Sequence, residues 1–329
     1  MDRRVAVVQG LLQRYPTSRF TARMPNRERV GSCVSSRSHD FTRPSSKLAF
    51  FQRNAVFPRV SAMPEAPTKK TNWSAVLEDN PWVVFLAPFI VFMIFTQIEP
   101  TPEKAGGAFG LVIPYSHYPW AYAAKIVLTL AAVGAVWPGY RWFPFRVSPL
   151  AIVVGVVGVV VWVGLCKLQL ETRVIGPFLS PLLDNPLGKT FGLAGMFDPE
   201  ATRSAFNPFE HMADRRAAWA FLAVRFFGLA LVVPLIEEFF LRGFIMRFVM
   251  ARDWWEVPFG TVTTTAVVVG TVFPMLMHPA ELVAAAVWFS MITWLMVRTK
   301  NIWDCVAAHA VTNFLLGVYV VASGDWHLM

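Results

Sequence analysis

Seven apolar runs of 17 to 21 residues follow one another between residues 82 and 322, and they constrain the fold more than any other feature of the chain. A helix of about 20 apolar residues crosses a ~30 Å hydrocarbon core. The runs are 82–98, 120–137, 149–165, 217–236 (continuing as helix towards Arg247), 257–277, 280–297 and 302–322. They predict an all-α fold, a polytopic membrane bundle of about seven transmembrane helices, with any polar site inside it. Composition agrees. The chain is 55% hydrophobic and 16% charged, where a soluble protein carries about 25% charged residues.

The net charge of +9 belongs to one segment. Residues 1–62 hold eleven Arg and one Lys against Asp2, Glu28 and Asp40, and the remaining residues sum to zero. No nucleic-acid partner is therefore expected. Three readings of 1–62 stand side by side: a disordered basic tail, a transit-like segment, or an overlong gene start with Met63 as the initiator. The rest divides into N-terminal transmembrane helices over 63–216, with a long loop at 167–216, and core helices over 217–329. Cys33, Cys166 and Cys305 are scattered and suggest neither a disulfide framework nor a structural zinc site.

Lys and Arg asymmetry sets the expected orientation. Lys69 and Lys70 precede the first run, and Arg141 and Arg146 follow the second. Arg242, Arg247 and Arg252 follow the fourth, and Arg298 and Lys300 the sixth. All four sets share one side if the N-terminus is cytoplasmic and the C-terminus outside. The expected location is a bacterial cytoplasmic (inner) membrane.

Three stretches put polar groups into apolar sequence. In LVVPLIEEFFLRGF (231–244), Glu237 and Glu238 precede Arg242. A charge at the centre of a membrane helix costs about 2.5–3.5 kcal/mol on insertion scales, so such groups persist when they pair, face a cavity or act. Glu238 and Arg242 are four apart and share a face, which leaves Glu237 free to point into a cavity. In VFPMLMHPAE (272–281), His278 ends a run beside Pro279, which breaks or bends the helix. In NIWDCVAAHAVTNFLLG (301–317), His309 and Asn313 are four apart on one face. Singly, each stretch has a plain reading: an anchoring charge cluster, a boundary cap, an interhelical hydrogen bond. Together they form an inventory for hydrolysis. A carboxylate and imidazoles can activate water, and amide and guanidinium donors can meet an oxyanion. Cys305, four before His309, is kept as a weaker alternative nucleophile.

The order EExxxR, a His closing the next span, then HxxxN resembles the CAAX prenyl endopeptidase and bacteriocin-processing (CPBP/Abi) family of intramembrane proteases, over about 217–320. VRTKNIWDCVAAHAVTN is similar to the branch encoded beside exosortase-type sorting systems. The resemblance implies that Glu237 and His278 activate water, that His309 and Asn313 stabilise the oxyanion, and that Glu238 and Arg242 orient Glu237. It implies a membrane-tethered protein or peptide substrate, CAAX-like or C-terminally anchored, and a lipid bilayer around the enzyme. The family's second motif is FxxxH; here position 274 is Pro and the Phe stands at 273.

Glu237, His278 and His309 also match a His₂Glu zinc set with an open position, but no two of them have a chelating spacing, so a metal-free glutamate mechanism is favoured. Depth is the obstacle. Simple antiparallel counting puts His278 on the side of the membrane opposite Glu237 and His309. Thr261, Thr263, Thr264 and Thr265 suggest that the fifth helix starts late, bringing His278 to mid-depth. The competing functions are a non-enzymatic immunity or assembly factor on the same scaffold and a proton relay or transporter. The transporter reading lacks paired interrupted helices.

Overall fold

The computed structural model describes residues 72–102, 105–108, 110–178 and 205–329. All of them fall in the compact unit Pro67–Met329. The basic segment 1–62, Lys69, Lys70 and residues 179–204 of the expected loop lie outside the described residues. A short helix α1 (Asn72–Asp79) leads into α2 (Pro81–Ile98). Then come α3 (Tyr118–Tyr140), α4 (Pro149–Leu168), α5 (Arg215–Phe248), α6 (Thr264–Met277), α7 (Leu282–Thr299) and α8 (Ile302–Ser323). Among the described residues the only strand-like pairing is one isolated bridge, Gly106–Ile113.

Among the described residues six helices are long and apolar enough to cross a bilayer, and the protein is an integral membrane protein. The expected seventh, 257–277, differs. Only 14 residues of it are helical, a rise of about 21 Å. Pro258 and Gly260, the latter at φ +86°, turn the chain first. Thr263 then caps α6, its hydroxyl accepting from the Ala266 N–H. The polar threonines therefore mark a late start.

The stretch read as loop from 167 also differs at its beginning. After a left-handed Gln169 (φ +52°) closes α4, helix resumes through a π turn at Glu171–Ile175 to Phe178. Glu171 is buried, and its carboxylate accepts from the Val283 N–H at 2.8 Å, satisfying a donor at the start of α7.

Helix α8 lies along α4 because α4 presents glycines there. A Cβ on Gly155 would sit 2.7 Å from the Ala308 carbonyl oxygen, and one on Gly158 would sit 2.7 Å from Thr312 Oγ1. Such small residues let membrane helices approach closely, and Thr312 Oγ1 donates to the Gly155 carbonyl at 2.8 Å. The first turn of α8 is stitched to the α3–α4 connection. Asn301 donates to the Arg146 carbonyl, Trp303 Nε1 to the Phe143 carbonyl, and Asp304 accepts from the N–H and hydroxyl of Ser148. Polar residues of the NIWDC stretch thus fix the height of α8, and with it His309.

Two arginines used for orientation are internal. Arg242 is fully buried, and Arg247 donates to the carbonyls of Gly243, Trp255 and Val257, closing the α5–α6 connection.

Candidate active site

Helix α5 changes winding twice around the glutamates. A π turn at Gly228–Val232 and another at Phe239–Ile245 flank the α-helical Val233–Glu238. A π turn lodges an extra residue in the helix and frequently marks a functional site. The first one is braced from α8, where Asn313 Nδ2 donates to the Leu229 carbonyl at 2.9 Å.

Glu238 is the hub of the buried polar groups. Arg242 Nη1 lies 3.1 Å from one carboxylate oxygen and 3.0 Å from the other, and both side chains are wholly buried. The imidazole of His309 meets the same carboxylate through Nδ1 at 2.8 Å. The second guanidinium nitrogen donates to the Phe289 carbonyl at 3.1 Å. A buried carboxylate is expensive unless charge and hydrogen bonds compensate it; here Arg242 supplies the charge and both hydrogen bonds fall on Oε1, while Oε2 has the ion pair alone. Since Nδ1–H is given to Glu238, Nε2 is the outward nitrogen of His309. It faces Glu237, 3.9 Å from Oε2, too far for a direct hydrogen bond.

Glu237 is the accessible carboxylate, with 21% of its side chain exposed. It lines a cavity of about 30 Å³ together with His278, Phe289, Phe273, Pro274 and Phe89. That is space enough for water. His278 follows the last residue of α6. Its backbone N–H reaches the Met275 carbonyl, and Nδ1 lies 2.8 Å from the Pro274 carbonyl. A carbonyl can only accept, so Nδ1 carries the proton and Nε2 keeps its lone pair. Position 274 meets the imidazole through its backbone carbonyl, which any residue there would supply, and Phe273, one position early, walls the cavity.

The six residues picked from the sequence are not brought together equally. Glu238, Arg242 and His309 form one bonded cluster, and Glu237 and His278 share the adjoining cavity. Both imidazoles pack on the Phe289 ring, with centroids 5.7 and 6.1 Å away, so they are not parted by a leaflet. Asn313 sits one turn beyond His309 with its amide engaged by Leu229. Cys305 is fully buried, and its thiol points at the Asn301 carbonyl, which removes it as a nucleophile open to substrate. The larger clefts, of 390 to 550 Å³, are apolar grooves elsewhere on the helices and contain none of the site residues.

Zinc fits this donor set poorly. Among the described residues no three His, Cys, Asp or Glu side chains are grouped so as to hold an ion. No reaction step is therefore routed through a metal.

The fold and site define a polytopic membrane protein with a carboxylate–imidazole–guanidinium centre inside its bundle. Residues 219–315 match the profile of the family described as Type II CAAX prenyl endopeptidase Rce1-like. The match bears out the resemblance carried by the three motifs, and at the level of the family it supports an intramembrane CAAX-type protease. No curated protein and no solved structure matches the chain.

Proposed function

We infer that the chain is an endopeptidase that hydrolyses a peptide bond of a membrane-tethered protein, with Glu237 as the base. The observation that carries this reading is the water-sized cavity walled by Glu237 and His278, backed by the Glu238–Arg242–His309 cluster. A water in that cavity gives one proton to Glu237 as its oxygen attacks the carbonyl carbon. The Nε2 lone pair of His278 helps hold the water. The carbonyl π electrons move to oxygen, where donors from His309 and Asn313 receive them. His309 offers Nε2–H in its imidazolium form, the other N–H being held by Glu238. Asn313 has a second amide proton besides the one given to Leu229. Collapse of the tetrahedral species breaks the C–N bond, and the amine leaves with the proton stored on Glu237. Glu238 and Arg242 act as supports.

The catalytic part is the set of helices from 217 to 329, and the described helices α2, α3 and α4 brace it. The substrate is a CAAX-like or C-terminally anchored protein, with an exosortase-type sorting system as the expected setting. The test is an unbiased comparison of protein N- and C-termini in cells carrying wild-type or Glu237→Ala protein. A terminus present only with the wild type names the substrate; identical termini reject the peptidase reading.

The mechanism is metal-free in this reading. Protein purified without metal and assayed in strong chelator is expected to keep its activity within about twofold, as positioned acid–base groups alone supply the catalysis. Complete loss, restored by zinc alone, overturns the glutamate mechanism.

The orientation is N-terminus inside, in a bacterial inner membrane. A cysteine at the exposed position Arg141 is expected to react with an impermeant thiol reagent only after lysis, and one at the exposed Ser116 in intact cells. The reverse pattern inverts the topology.

A further inference from the structure

We propose that Phe289 is a positioning residue of the centre: its ring orients both imidazoles, and its carbonyl anchors the arginine behind Glu238. The proposal rests on the peptidase reading above. Helix α7 carries none of the motif residues, yet it passes between the end of α6 and α8 and touches the site from both. The Phe289 side chain is 2% exposed. Its ring centroid is 5.7 Å from that of His278, tilted by 48°, and 6.1 Å from that of His309, at 89°. The Arg242 guanidinium lies 5.2 Å from the same ring. The Phe289 backbone carbonyl accepts from Arg242 at 3.1 Å. One residue away, Trp288 sets its ring 6.2 Å from His309, and from α4 Trp162 sets its ring 5.7 Å from His278.

Each imidazole is tied by one nitrogen only, His278 to Pro274 and His309 to Glu238. A single hydrogen bond leaves the ring free to tilt about it. Aromatic neighbours with centroids 4.5–7 Å apart favour particular mutual angles, and they decide where each free Nε2 points. Among the described residues Phe289 is the one aromatic side chain in contact with both histidines. Leucine at 289 keeps the backbone carbonyl and most of the volume but removes the flat wall. Misplacement by about 1 Å at a reacting centre lowers the rate by about 10²-fold.

The test compares wild-type, Glu237→Ala, Phe289→Leu and Phe85→Leu full-length protein in detergent. Phe85 is equally buried and packs on Phe239 and Trp254, away from both histidines. The probe is a fluorogenic peptide with a farnesylated Cys–aliphatic–aliphatic–X terminus. Phe289→Leu is expected to lower kcat by about 10²-fold with KM within about twofold, whereas Phe85→Leu stays near wild type. Equal losses in both variants, or no loss in Phe289→Leu, overturn the proposal.

A second measurement is independent of cleavage. In histidine-labelled protein, the ring signals of His278 and His309, assigned by His→Gln variants, are expected to move in Phe289→Leu and to stay in Phe85→Leu. Either signal staying in place in Phe289→Leu overturns the proposal. If the wild type shows no Glu237-dependent cleavage of the probe, the peptidase reading has failed on that probe, and the ring signals alone decide the role of Phe289.

Discussion

Glu237→Gln is expected to leave an inserted, folded protein that has lost cleavage by about 10²–10⁴-fold, the contribution of a positioned general base. The substitution keeps the shape of the side chain and removes only its capacity to take a proton. Glu237 is part-exposed in its cavity, and the His309 Nε2 is 3.9 Å away. Its amide therefore breaks no buried ion pair, and stability is expected to hold. The measurement pairs the abundance of the new protein terminus with a thermal melt in detergent. Retained cleavage with an unchanged melt removes Glu237 from the chemistry; a collapsed melt shows that it was structural.

Arg242→Met is expected to behave in the opposite way, destabilising the fold before any question of rate arises. It removes the guanidinium that meets both oxygens of a carboxylate with no solvent contact. Breaking a buried pair by deleting one partner costs about 3–5 kcal/mol, against a total stability of order 5–15 kcal/mol. The double variant Glu238→Gln/Arg242→Met removes the orphaned charge with its partner and is expected to recover much of the melt. It is not expected to recover cleavage, because His309 then loses the carboxylate that orients it. An Arg242→Met protein that melts like the wild type rejects this account of the pair.

The i,i+4 spacing of Glu238 and Arg242 was legible because helix geometry alone decides it, and their ion pair follows. The polar threonines before α6 likewise announced its late start. The π turns were not legible, since the extra residue leaves no mark in composition or period; the one at Gly228–Val232 is braced from α8. Asn313 was readable as a donor, but its partner is a backbone carbonyl, which every residue possesses. Trp288 and Phe289 look like ordinary apolar core in an apolar helix, and only proximity to two imidazoles distinguishes them. The hydrogen bonds of Asn301, Trp303 and Asp304 escaped for a related reason. Their partners lie 155 to 160 residues away, beyond any local pattern.

Helix α6 ends after 14 residues, at the histidine that walls the cavity. Its rise of about 21 Å is well short of a ~30 Å acyl layer. Such a mismatch is relieved by local thinning of the bilayer or by rearrangement of the flanking residues, at fractions of a kcal/mol per ångström. Helix α6 is therefore the element of the bundle least matched in length to the acyl layer, and it ends at the cavity. Acyl-chain length thus becomes a physical variable of the centre itself, and lipid composition acts on it without touching a single residue.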